Sequence, residues 1–134
     1  TFCADTIFVN RSSKTNLKKI NDKVIKQLKM NSVCFFPEGK ATDGNSLLPF
    51  KSNLFQAAID SKKNIIPISI SYFHKNKKTT VASYFDDINL LESFFSILKH
   101  NNIEIKLNIL DVIKADNNRK IISDNCYQLI KKSF

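Results

Sequence analysis

The sequence predicts an α/β fold with a mixed, mostly parallel sheet flanked by helices, and three observations lead to it. Segments with strand character and segments with helical periodicity alternate along the chain in the order β, α, β, loop, α, β, β, α, β, α. The 134 residues, 43% of them hydrophobic, are enough to bury one core and too few for two. The turn-forming residues are concentrated: both glycines and two of the three prolines fall within residues 35–53, leaving the rest of the chain free to form regular elements.

Residues 6–9 are a β-branched and aromatic run ending in the polar cluster Asn10, Arg11, Ser12 and Ser13, as a strand delivering its tip into a loop would. With Ser13 as N-cap, Leu17, Ile20, Val24 and Leu28 recur at helical spacing, with Lys14, Lys18, Lys19, Lys23, Lys26 and Lys29 around the other faces. This basic helix fits a stripe packed on the sheet, and its lysines also suit a membrane surface. Residues 33–36 form an apolar run consistent with a buried strand, stopped by Pro37, with Cys34 as core filling. A second helix carries Leu54, Phe55, Ala58 and Ile59 behind a cap at Ser52. Residues 64–72 read as a strand broken or bulged at Pro67, residues 79–85 as another, and residues 88–100 as an apolar helix with Phe94 and Phe95 in the core. From Ile103 to Ile109 apolar and polar residues alternate as in a half-exposed strand. A last helix follows Asp116, with Ile121, Ile122, Leu129 and Ile130 inward.

The formal charge of +9 favours an anionic partner: nucleic acid, phospholipid surface or phosphorylated small molecule. Cys3, Cys34 and Cys126 are odd in number and widely spaced, which gives neither a disulfide framework nor a zinc site, so no metal is expected. His74 and His100 are assigned no chemistry. No run reaches the roughly 18 apolar residues of a bilayer span. The chain opens in strand-like sequence without an initiating Met, so the expectation is one domain over residues 1–134, N-terminally incomplete and forming the carboxyl-terminal portion of a longer chain.

Ligands of open α/β sheets sit beyond the carboxyl ends of strands, where Arg11 and Glu38 would meet if their strands are parallel neighbours. Gly39 admits backbone angles closed to other residues, Pro37 holds the turn, and Lys40 and Lys51 add positive charge beside freed backbone N–H groups. Arg11 presents a planar fork suited to phosphate. The residues alone therefore suggest a phosphate pocket at a strand edge.

The stretch FFPEGKATDGNSLLPFKSNLFQAAI resembles the third motif of the lysophospholipid acyltransferases related to bacterial 1-acylglycerol-3-phosphate acyltransferase. IFVNRS resembles their second motif, with Arg11 in the arginine position, and IIPISISY the fourth, with Pro67 as its proline. Likeness continues through residues 84–109 and NNRKI, covering nearly the whole chain. The resemblance implies a glycerol-3-phosphate acyltransferase-like fold and acyl transfer from acyl-CoA or acyl-carrier protein to a lysophospholipid such as 1-acylglycerol-3-phosphate, with no bound cofactor. It implies that Arg11 binds the glycerol phosphate, that Glu38 and Gly39 shape that pocket with Lys40 and Lys51 beside it, and that Pro67 supports the acyl side. It also implies an anionic membrane surface as partner, at the cytoplasmic face of the cell membrane, peripheral or anchored by a segment outside this sequence.

Two departures bear on this. The family's first motif, His and Asp separated by four residues, supplies the general base and its orienting carboxylate; His74 and His100 are followed five places on by Thr79 and Ile105, so that motif is expected upstream of Thr1 and these residues alone are expected to be inactive. Many members have Thr-Arg after Glu-Gly, where this chain has Lys40 and Ala41. Two alternatives stand beside the acyltransferase: a basic nucleic-acid-binding domain, against which counts the lack of base-stacking aromatics, and a non-catalytic membrane-associated relative.

Overall fold

The computed structural model describes Ile7 and residues 14–83 and 89–133. Arg11, the cap at Ser13 and all but one residue of the strand expected at 6–9 lie outside the described residues. Among the described residues four α-helices and three strands follow in order: α1 Lys14–Leu28, a 3-10 turn Ser52–Phe55 running into α2 Gln56–Asp60, β1 Ile68–His74, β2 Lys77–Lys78, α3 Leu90–Leu98, β3 Ile103–Ile109 and α4 Arg119–Lys132.

The expectation of a mostly parallel sheet is corrected. Among the described residues the sheet has the order β2-β1-β3, and both pairings are antiparallel. Alternation of strands and helices does not set direction, and here a hairpin intervenes. Lys75 and Asn76 both take positive φ (49° and 63°), the geometry of a two-residue turn whose twist matches the flanking strands. β2 therefore reverses the chain before α3, and α3 returns it to β1 antiparallel. The strand expected at 79–85 is not found at 79–83, which have no strand structure and turn at residues 81 and 82; β2 ends just before them, and residues 84 and 85 lie outside the described residues. Residues 33–36 have no regular secondary structure. Cys34, expected in the core, is exposed.

Pro67 behaves as its chemistry requires. Ile65 and Ile113 exchange both backbone hydrogen bonds at 2.9 Å, whereas β1 and β3 start from the pair Ile68 and Ile109. The register shifts by one residue between the two pairs, leaving an extra residue opposite Pro67, where the ladder lacks a donor. The Pro67 carbonyl still accepts from the Leu110 N–H at 3.0 Å.

The core sits between the 3-10 turn and α4: Phe55, Ile122 and Cys126 are buried, with Phe35, Phe50, Ile59, Ile65, Ile113 and Ala115 packed around them. α4 is capped by Asn118, whose side chain accepts from the Lys120 N–H at 2.8 Å, two residues beyond the expected start. Its inward face is Ile122, Ser123 and Cys126, and Ile121, expected inside, is exposed. The 3-10 turn has Lys51 at its cap position without a side-chain cap bond, so Ser52 is its first residue and not its cap. α1 packs on α2, not on the sheet, through buried Ile20 and a 2.8 Å bond from the Asn21 amide to Asp60, and Lys18, Lys19, Lys23, Lys26 and Lys29 stay exposed.

The sheet is turned opposite to ordinary expectation. Strand alternation and register place Ile68 and Ile70 on one face with Ile105, Leu107 and Ile109, and all five are exposed. The other face is polar: buried Ser69 accepts from Asn108 at 3.3 Å and shares a 3.0 Å hydroxyl hydrogen bond with Ser133 just beyond α4. Phe94 and Phe95, read as core, are exposed as well.

Candidate functional site

Residues 36–51 form a closed loop whose two ends are pinned by aromatic pairs. Phe35 meets Phe55 edge-to-face with ring centres 5.2 Å apart, and Phe50 meets Tyr127 at 5.4 Å. Between them the Lys51 N–H donates to the Pro37 carbonyl at 2.9 Å, which closes the neck.

Inside the neck the chain turns at Pro37-Glu38, where the Gly39 N–H donates to the Phe36 carbonyl at 3.2 Å. Gly39 has φ +68°, a conformation open to glycine at little cost. Lys51 folds across it: a Cβ placed on Gly39 would stand 2.9 Å from the Lys51 ammonium nitrogen. Glu38 reaches ten residues forward, its carboxylate accepting from the Leu48 N–H at 2.8 Å. The turn chemistry thus brings Glu38, Gly39 and Lys51 into one small region, with Lys40 exposed next in sequence.

The far end of the loop is organised by Asp43. Its carboxylate accepts from the Asn45 N–H at 3.0 Å and from the Asn45 side chain at 2.8 Å, and the backbone bond first, then the side-chain bond, holds the Asp43 carboxyl below its ordinary value. Gly44 follows at φ +76°, its N–H donating to Thr42 Oγ1 at 3.3 Å. Ser83 Oγ donates to the Asp43 carbonyl at 3.3 Å and ties the loop to the segment after β2. Asp43-Gly44-Asn45 carries an Asx-turn signal that sequence reading can use; nothing local marks Ser83, whose partner lies 40 positions away.

Of the residues singled out by sequence, Glu38, Gly39 and Lys51 converge at the neck. Arg11 lies outside the described residues. Pro67 is buried just before β1, bonded to the sheet. Lys51 has no carboxylate within ion-pair distance among the described residues, so its ammonium can serve an anion. The two best-formed concavities among the described residues are shallow and lie elsewhere, one around Phe73 and Lys106, the other around Lys62 and Lys114.

This loop lies within the part of the chain that known proteins match. The sequence profile of the Acyltransferase family matches residues 3–71. A 1-acyl-sn-glycerol-3-phosphate acyltransferase of Neisseria gonorrhoeae is 33% identical over 113 residues, 84% of this chain and 44% of that protein. A lyso-ornithine lipid O-acyltransferase of Pseudomonas aeruginosa is 28% identical over 113 residues, 84% of this chain and 43% of its own length. The 1-acyl-sn-glycerol-3-phosphate acyltransferase of Escherichia coli is 34% identical over 67 residues, 48% of this chain and 27% of that protein. The chain spans less than half the length of these curated relatives. No solved structure matches it. With the family profile running over residues 3–71, through the Pro-Glu-Gly turn and the start of β1, the chain belongs to the acyltransferase family whose members include the lysophospholipid acyltransferases.

Proposed function

We propose that this chain forms the phosphate-binding side of a lysophospholipid acyltransferase working in phospholipid synthesis at an anionic membrane surface, the cytoplasmic face of the cell membrane. The acceptor is a lysophospholipid such as 1-acylglycerol-3-phosphate, and the donor is an acyl thioester, acyl-CoA or acyl-carrier protein. In the reaction the acceptor hydroxyl gives its proton to a base and attacks the thioester carbonyl; the C–S bond breaks, and the thiol leaves with a proton. Lys51 and Arg11 hold the phosphate, and the Gly39 turn lets it approach the main chain. Lys40 adds charge beside it, and Pro67 supports the acyl side.

The observation that carries this reading is the Lys51 ammonium, laid over Gly39 at a stapled loop neck and without an acidic partner among the described residues. Family membership and the two kinds of named relatives, both acting on lysolipids by name, support it.

Binding of 1-acylglycerol-3-phosphate and of a monoacylglycerol with the same acyl chain, measured calorimetrically on the 134-residue chain, tests it. The phosphate-bearing lipid should bind at least about tenfold more tightly, and Lys51→Met or Arg11→Gln should each remove about three- to tenfold of that preference. Equal affinity for the two lipids overturns the reading. Neither histidine of residues 1–134 has an Asp five places on, so this chain alone should show binding without turnover. Acyl transfer by it would refute the placement of the base on the His-x4-Asp motif.

A further inference from the structure

α3 is folded inside out. Ser93 is only 8% exposed, and Ser96 and His100, three and seven positions on, are half-buried on the same side. The opposite stripe, Leu91, Phe94, Phe95 and Leu98, follows the i, i+3, i+4, i+7 spacing of an amphipathic helix and is 62, 54, 57 and 60% exposed. The Asn89 side chain caps the helix through the Leu91 N–H at 3.2 Å, and Phe94 and Phe95 touch each other edgewise at 5.9 Å. Four large apolar side chains therefore stand in solvent on a well-capped helix.

The end of α3 is fixed by two histidines. His100 Nδ1 donates to the Ser96 carbonyl at 2.8 Å, and its ring meets His74 edge-to-face at 5.2 Å. His74 shares its sheet face with Ile68 and Ile70, so α3 ends on the apolar side of the sheet. Lys77 stands directly opposite His74 in the hairpin, Lys75 follows His74 and Lys99 precedes His100. Three exposed lysines thus gather where the apolar stripe ends. Glu104, across from Phe73, is on the other face of the sheet, and Glu92 is in the first turn of α3, away from the lysines.

We propose that α3 lies in the surface of an anionic bilayer, with Leu91, Phe94, Phe95 and Leu98 among the upper acyl chains and Lys75, Lys77 and Lys99 on the headgroups. The Phe/Leu stripe of α3, a helix without Lys or Arg of its own, ends at these three lysines, and the chain's charge of +9 complements anionic lipid. Among the described residues no helix is long and apolar enough to cross a membrane, so the contact is in the plane of the surface. The inference rests on the membrane setting proposed above, but not on the phosphate site, and is tested apart from it.

The chain has no Trp, so Phe95→Trp provides a single fluorescent reporter. On vesicles of phosphatidylglycerol and phosphatidylcholine its emission should shift to the blue and be quenched by brominated acyl chains. Partition of the chain into these vesicles should fall about tenfold in Phe94→Ser or Phe95→Ser and about threefold to fivefold in Lys77→Gln or Lys99→Gln, with unchanged circular dichroism. Val112→Ser, which removes an exposed apolar side chain outside the stripe, should bind as the parent. Should a serine variant not fold, the quenching decides. Unquenched Trp on bound vesicles, unchanged partition of a folded Phe variant, equal binding to vesicles of phosphatidylcholine alone, or a concentration-dependent blue shift without lipid overturns the proposal.

Discussion

The Glu38 carboxylate ties together two parts of the candidate loop through a side chain, so removing it should free the loop without unfolding the core. Its 2.8 Å bond to the Leu48 N–H is partly buried and spans ten residues. A hydrogen bond to a charged group contributes about 1.5–3 kcal/mol and one between neutral groups about 0.5–1.5 kcal/mol. Glu38→Gln keeps an acceptor and should lose about 1 kcal/mol, whereas Glu38→Ala removes it and should lose about 2 kcal/mol. The Phe35–Phe55 and Phe50–Tyr127 contacts remain in both variants, so the loss should fall on loop opening. Hydrogen exchange at the Leu48 amide reads this directly, with acceleration of about fivefold for Gln and about thirtyfold for Ala. Unchanged exchange in Glu38→Ala, or faster exchange in Gln than in Ala, would refute the reasoning.

Gly39→Ala and Gly44→Ala should each cost about 1–2 kcal/mol in chemical denaturation, since both glycines have positive φ. Only Gly39→Ala should also weaken phosphate-lipid binding, because the new methyl meets Lys51 at 2.9 Å while Gly44 faces open space up to Ser83 at 3.7 Å. Phe55→Ala, at the centre of the core, should cost about 3–5 kcal/mol and abolish the cooperative thermal transition. Burial pushes the Cys126 thiol up to about 11 from an ordinary 9.0. The thiol is neutral in both states well below pH 9, and as pH passes 9 the unfolded chain ionises first, so stability should fall as pH rises from about 9 toward 11. Cys126→Ala should remove that part of the pH dependence in thermal melts. At pH 8 a thiol reagent should label exposed Cys34 far faster than Cys126, read by mass spectrometry.

What could be read from the sequence was local periodicity, and what could not was which side of each element faces the protein. The alternation from Ile103 to Ile109 matches β3 at both ends, and the stop at Pro67 appears as a shifted register. Period 2 is the same whether the isoleucines point in or out, however, and here Ser69 faces inward. The apolar helix within residues 88–100 was legible as well, yet hydrophobicity alone placed Phe94 and Phe95 in a core that they do not join. Strand direction failed for a related reason: the Lys75-Asn76 hairpin lacks glycine, so the sequence held no strong signal for the reversal that makes the sheet antiparallel. In the loop, composition revealed that a turn is built at Pro37 and Gly39, but the Glu38 to Leu48 bond depends on a fold-level approach that no local pattern encodes.

The distribution of hydrogen bonds also bears on how a loop of balanced formal charge would serve the proposed phosphate site. Residues 36–51 contain Glu38, Lys40, Asp43 and Lys51, two acids and two bases. The acids are occupied: Glu38 accepts from the Leu48 N–H and Asp43 from both donors of Asn45. A carboxylate that already accepts from backbone N–H groups has its charge partly offset by those dipoles and is held by the turn it stabilises. The Lys51 ammonium has no carboxylate partner among the described residues and is carried to the loop neck by the Lys51 to Pro37 backbone bond. The same carboxylates that close the turn therefore leave the Lys51 ammonium for the proposed phosphate, so the rigidity of the turn and the proposed anion site rest on one set of contacts.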